Sequence, residues 1–204
     1  MSNILYMKKI MLFFLAFSAG LAGIAQAAGY NYPDAFYFVK EIPVRGKPER
    51  PFQLEIRVRE NPADSFSRLR IYAVQVRKGK EDIIGKTMQY AQRDTGSWNT
   101  YRVDGITDKA AASIYFYVAV NGNGRYLFDN LQYSIADVSG TMAEQELANQ
   151  SFEDKKILNG FYISSRPSTW LQLQASPLAA EGKQSLEVTV SGQKPAPIRS
   201  TARR

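Results

Sequence analysis

Ser113-Ile-Tyr-Phe-Tyr-Val-Ala-Val-Asn-Gly-Asn-Gly-Arg-Tyr-Leu-Phe-Asp-Asn-Leu-Gln-Tyr-Ser-Ile135 reads as two strands joined by a turn. In the first run Ile114, Phe116, Val118 and Val120 alternate with Tyr115, Tyr117 and Ala119. Period-two alternation of β-branched and aromatic residues predicts a strand with one face on a core. Asn121-Gly122-Asn123-Gly124 tolerates positive φ and predicts a tight hairpin. In the return run Leu127, Asp129, Leu131, Tyr133 and Ile135 are expected on one side. An acid among such neighbours asks for a partner, a metal or a strand end.

The same pattern extends on both sides. Phe52-Gln-Leu-Glu-Ile-Arg-Val-Arg59 alternates cleanly, with Phe52, Leu54, Ile56 and Val58 inward and Gln53, Glu55, Arg57 and Arg59 outward. Phe36 to Ile42, Leu69 to Val76, Ile83 to Tyr90 and Trp98 to Val103 also read as strands. The run from Leu69 is apolar on much of both faces and is therefore expected to be central. The one helix-like run is Met142 to Ala148. Phe161 to Ile163, Thr169 to Leu173 and Ser185 to Val190 are later strand candidates. Many short strands separated by turns, without a convincing helix from 36 to 137, predict an all-β antiparallel β-sandwich or jelly roll.

Lys8-Lys9, the apolar run Ile10 to Phe17 and Ala25-Gln26-Ala27 have the order of a secretory signal peptide over residues 1–27. The expectation is export to a periplasmic, cell-surface or secreted location. Membrane contact is then expected only through the signal before cleavage. A β-sandwich module is expected over 30–138, and either a second module or further strands of the first over 139–190. Residues 191–204 read as a disordered basic tail.

The 204-residue chain contains no cysteine and no histidine, which removes disulfides, thiolate chemistry and Ser-His-Asp catalysis within it. Its formal charge is +7. Six of its 26 basic residues (Lys8, Lys9, Lys194, Arg199, Arg203 and Arg204) lie in the signal segment or the tail. The body therefore holds 20 basic residues against 19 acidic ones, or +1, and no nucleic-acid partner is expected. Acids are present, yet no pair stands out as a glycosidase couple. The chain reads as a non-enzyme.

Asn149-Gln-Ser-Phe-Glu153, Trp170 and Gly182-Lys-Gln-Ser-Leu-Glu-Val188 resemble the opening strands of xylanase-associated carbohydrate-binding modules, within the galactose-binding-like superfamily. Phe52 to Arg59, Trp98-Asn-Thr-Tyr101 and Asp129-Asn-Leu131 resemble the closing strands of that family. The order is reversed here. The chain is either one circularly permuted jelly roll or the end of one module followed by the start of a truncated second. The resemblance implies a jelly roll that holds a polysaccharide or glycan and sits beside the catalytic domain of a secreted hydrolase. It requires no cofactor, but it implies a structural calcium on Asp129 and Glu153, because hard carboxylate oxygens suit Ca²⁺.

For a sugar ligand the expected residues are Tyr115, Tyr117, Tyr72, Arg57 and Gln53, gathered on one outward platform of rings and hydrogen-bonding groups. Trp98 and Trp170 are expected to anchor the core. The alternative is a structural or protein-interaction spacer without a sugar ligand.

Overall fold

The computed structural model describes residues 30–31, 36–64, 67–77, 83–90, 95–193 and 196–197. The signal-peptide reading lies outside the described residues. The strands are β1 (Tyr30–Asn31), β2 (Phe36–Pro43), β3 (Pro51–Pro62), β4 (Arg68–Arg77), β5 (Ile83–Tyr90), β6 (Trp98–Ile106) and β7 (Ala111–Asn121). They continue with β8 (Gly124–Ala136), β9 (Met142–Gln145), β10 (Tyr162–Ile163), β11 (Leu171–Ser176), β12 (Ser185–Val190) and β13 (Ala196–Pro197). Among the described residues there is no helix.

Two antiparallel sheets carry the fold. The five-stranded sheet has the order β10-β2-β7-β4-β5. The six-stranded sheet contains β11-β12-β8-β3-β6, with β9 paired to β8. The inner faces of both sheets share one core. Ile114, Phe116, Val118 and Val120 enter it from β7, and Phe52, Leu54, Ile56 and Val58 from β3, all at most 2% exposed. The alternation predicted these faces because a strand turns successive side chains to opposite sides. Phe38 of β2 meets Phe128 of β8 edge-on at 5.1 Å between ring centroids and so ties the sheets together. Strand β4 lies between β7 and β5, the interior position its two apolar faces predicted.

The structure corrects four expectations. The runs on either side of Asn121–Gly124 do not pair as a hairpin. β7 pairs with β2 and β4, whereas β8 pairs with β3, β9 and β12. The turn therefore carries the chain from one sheet to the other. Gly122 (φ 87°) and Gly124 (φ 151°) supply the left-handed conformations, and a Cβ at Gly124 would stand 2.9 Å from the Asn61 carbonyl oxygen.

Secondly, Asp129 does not share a face with Leu131, Tyr133 and Ile135. Glu55 pairs with Gln132 but Arg57 with Asp129, so β8 carries one extra residue opposite Ile56. Asn130, with φ 45°, forms that bulge and reverses the alternation. Tyr126 and Phe128 face the core before it; Leu131, Tyr133 and Ile135 face the core after it. Leu127 and Asp129 are left on the outer side.

Thirdly, Met142–Gln145 is strand rather than helix. Asp137 Oδ1 accepts the Ser139 and Thr141 N–H groups, and the Asp137–Gly140 turn folds β9 back along β8. Fourthly, the region expected to be a disordered tail is tied down where it is described. The Gln193 N–H donates to Asn123 Oδ1, Asn123 Nδ2 donates to the Gln193 carbonyl, and Ala196–Pro197 pairs with Tyr30–Asn31.

Residues 139–190 contribute to this same sandwich. β11 and β12 extend the six-stranded sheet beyond β8, and β10 extends the other sheet beyond β2. Between them, Phe152 is fully buried against Phe38 and Phe161. Lys40 shares the inner side of β2 with Phe36, Phe38 and Ile42 and is 5% exposed. Its ammonium donates to the Ala148 carbonyl and lies 4.5 Å from the centre of the Phe161 ring. Burial lowers its pKa, and Asp154 opposes that shift in part.

Candidate functional site

The residues expected to hold a ligand fall on the two outward faces of the sandwich, not on one platform. Tyr115 and Tyr117 of β7 and Tyr72 of β4 lie on the outer face of the five-stranded sheet, opposite the core-facing residues of those strands. Gln53 and Arg57 of β3 lie on the outer face of the six-stranded sheet. The core separates the two groups. Alternation names a residue as outward, but it does not say which sheet its strand joins.

The tyrosine face is built by cross-strand pairing. Tyr72 sits directly opposite Tyr117, and the rings stack with centroids 4.8 Å apart and planes 6° from parallel. Tyr37 of β2 meets Tyr117 at 5.7 Å and is 39% exposed. Tyr115, one alternation along, lies between Glu41 and Val74.

Polar groups border these rings. Arg70, on the same side of β4 as Tyr72, donates from its Nη2 to Asn121 Oδ1. Glu41 accepts the Ser113 hydroxyl at 2.8 Å and the Tyr162 hydroxyl at 3.3 Å. Burial, with Tyr117 next, raises the Tyr72 pKa, while Arg70 pulls it down. The phenol therefore stays a neutral donor at ordinary pH. Tyr37, Arg70 and Tyr162 were not among the expected residues. Tyr37 and Arg70 were readable from the alternation of their strands. Tyr162 arrives from more than 120 residues along the chain through the pairing of β10 with β2.

The outer face of the six-stranded sheet is a lattice of hydrogen-bonding side chains. One row across it runs Trp98, Arg59, Leu127, Glu187 and Gln174. Trp98 thus stands half-buried beside Arg59 on the outside, rather than anchoring the core. Trp170 packs partly buried against the core. Arg125 donates to Glu187 at 2.6 Å, and that hydrogen bond holds the Glu187 carboxyl below its usual range. Arg102 pairs with Asp104 at 2.8 Å and reaches Glu55 at 4.0 Å.

Asp129 and Glu153 converge on one turn, Ala180 to Gln184. Asp129 Oδ2 accepts the N–H groups of Ala180 (2.7 Å) and Glu181 (3.0 Å), and Oδ1 accepts that of Asn130 (2.8 Å). Glu153 Oε1 accepts the N–H groups of Lys183 (2.7 Å) and Gln184 (3.1 Å). Gly182, with φ 71°, lies at the centre of the turn, where a Cβ would collide with the Glu153 carboxylate.

Although Asp129 projects from the outer side of β8, this turn covers it completely. Burial raises its pKa, the three N–H donors lower it, and nearby Glu153 adds to the rise. The acids suit a hard cation in type. The bonded oxygens leave Asp129 Oδ1 with one open acceptor site and Glu153 Oε2 unengaged among the described residues. No group of three or more Asp, Glu, His or Cys residues assembles among the described residues, so further ligands would have to be carbonyls or water. No protein-family model, curated protein or solved structure matches this chain.

Proposed function

We propose that this chain is an exported, non-catalytic carbohydrate-binding module with a permuted jelly-roll topology, accessory to a secreted hydrolase. The row of Tyr37, Tyr117 and Tyr72 on an open sheet face carries the reading. Sugar rings present flat C–H faces to aromatic side chains, and their hydroxyls need donors and acceptors at the rim. Arg70, Glu41 and the Tyr162 hydroxyl supply these. The mechanism is passive: a preformed face holds a neutral glycan chain.

Retention on immobilised neutral polysaccharides tests the proposal. Tyr72→Ala/Tyr117→Ala should weaken retention by about tenfold or more, since each lost ring contact is worth roughly 0.5–1.5 kcal/mol beyond its buried area. The circular dichroism spectrum should stay unchanged. A wild-type chain that no common neutral glycan retains would favour the second reading, a protein-docking or spacer module. Tyr162 and Ile163, 62% and 39% exposed on edge strand β10, support that alternative.

The same proposal includes a structural calcium ion, with Asp129 Oδ1 and Glu153 Oε2 as its carboxylate ligands. Support comes from the convergence of both acids on Ala180–Gln184. When bound, the cation would supply positive charge beside Asp129, whose pKa burial and nearby Glu153 raise. Titrating calcium into chelator-treated protein should raise the melting temperature. A melting temperature that ignores calcium up to millimolar concentration removes the ion from the proposal.

A further inference from the structure

Among the described residues, two arginines on the outer face of the six-stranded sheet form no ion pair. Arg57 and Arg59 alternate on β3, so they share that face about 6–7 Å apart. Arg57 Nε is buried without a hydrogen-bond partner. Buried donors of this kind are rare, and each asks for an explanation.

The neighbouring acids are committed elsewhere. Glu55 accepts the Gln53 side-chain amide and faces Arg102. Asp104 holds Arg102, and Glu187 holds Arg125. Asp129, the cross-strand partner of Arg57, accepts three backbone N–H groups and forms no ion pair with that arginine. Along β3, β6, β8 and β12 this face carries four arginines (Arg57, Arg59, Arg102 and Arg125) and four acids (Glu55, Asp104, Asp129 and Glu187), yet Arg57 and Arg59 stand together without an ion pair among the described residues. Trp98 lies beside Arg59 on the adjacent strand, about 5 Å away across the ladder.

We propose that the surface formed by Arg57, Arg59 and Trp98 is a second binding site, selective for acidic polysaccharides built of uronic-acid residues. A uronate carries its carboxylate on the sugar ring itself. The spacing of neighbouring strands matches that unit, with the ring on the indole and the carboxylate in an adjacent guanidinium fork. Arginine pairs with a carboxylate through two parallel N–H donors, a geometry lysine cannot reproduce. Gln53 lies on the same face of β3 and extends its polar surface. The site lies across the core from the tyrosine face and does not depend on it.

The test uses the full chain with polygalacturonate and with the same polymer fully methyl-esterified, which keeps the rings and removes the charge. Wild type should bind the acid form at least about tenfold more tightly. Arg57→Gln/Arg59→Gln should abolish that difference at an unchanged melting temperature. Arg57→Lys/Arg59→Lys, which keeps the charge, should restore only part of it. Arg166→Gln, an exposed arginine elsewhere, and Tyr72→Ala/Tyr117→Ala should bind the acid polymer like wild type. Equal binding of acid and ester, full binding by the glutamine or lysine pair, or an equal loss in either control variant would overturn the proposal.

Discussion

Phe152→Ala should lower the stability of the entire sandwich by about 3–5 kcal/mol in a single unfolding transition. Phe152 lies outside every strand, yet its ring is fully buried. It stacks on Phe161 at 5.1 Å and meets Phe38 edge-on at 6.0 Å. Phe38 in turn contacts Phe128 of the opposite sheet, so removing the Phe152 ring opens a cavity where residues 146–161 and both sheets meet.

Residues 139–190 as an independent unit would give a different result. The strands before Asp137 would unfold at their wild-type denaturant concentration, and a second transition would appear. Equilibrium urea unfolding, followed by tryptophan fluorescence and circular dichroism together, distinguishes the outcomes because Trp98 and Trp170 sit in the two regions. The backbone adds a finer expectation. Phe152 has φ 55°, which costs a residue with a Cβ about 1–2 kcal/mol. Phe152→Gly should therefore be less damaging than Phe152→Ala by about 1 kcal/mol, a reversal of the usual order.

Asp129→Ala should cost about 2–4 kcal/mol in calcium-free buffer. The carboxylate has no exposed surface and accepts three backbone N–H groups, two of them from Ala180 and Glu181. Alanine leaves the Asn130 donor buried, and those of Ala180 and Glu181 partly buried, without their acceptor, a larger penalty than the net worth of the hydrogen bonds. Asp129→Asn keeps one carbonyl oxygen and should recover part of the loss. Denaturation of the two variants beside wild type, with chelator present, reads the hydrogen bonds alone. Hydrogen exchange should locate the damage, with the amides of residues 180–184 losing protection first. An Asp129→Ala protein as stable as wild type would show that this turn contributes nothing to holding the C-terminal strands.

Much of the candidate sites was legible at the level of single strands. Tyr72, Tyr115 and Tyr117 were rightly outward, as were Gln53 and Arg57, because a pleated strand fixes the side on which each residue lies. Their separation onto opposite faces was not legible. Nor was the place of Lys40, a charged residue on an inward position that the Ala148 carbonyl, the Phe161 ring and nearby Asp154 make tolerable.

The sequence by itself determined the all-β class, the strand positions and the core stripes of β3 and β7, because period-two hydrophobic alternation is a local property of the chain. Tertiary structure decided the pairing. Asn121-Gly-Asn-Gly124 can reverse a chain within one sheet or carry it between two, and the choice rests on which distant strands offer unsatisfied backbone groups and apolar faces to β7 and β8. The bulge at Asn130 was likewise settled by the fit of β8 against β3, and it turned Asp129 outward to meet the Ala180–Gln184 turn. These outcomes depend on contacts between residues far apart in sequence, and their energies are written in no short stretch of it.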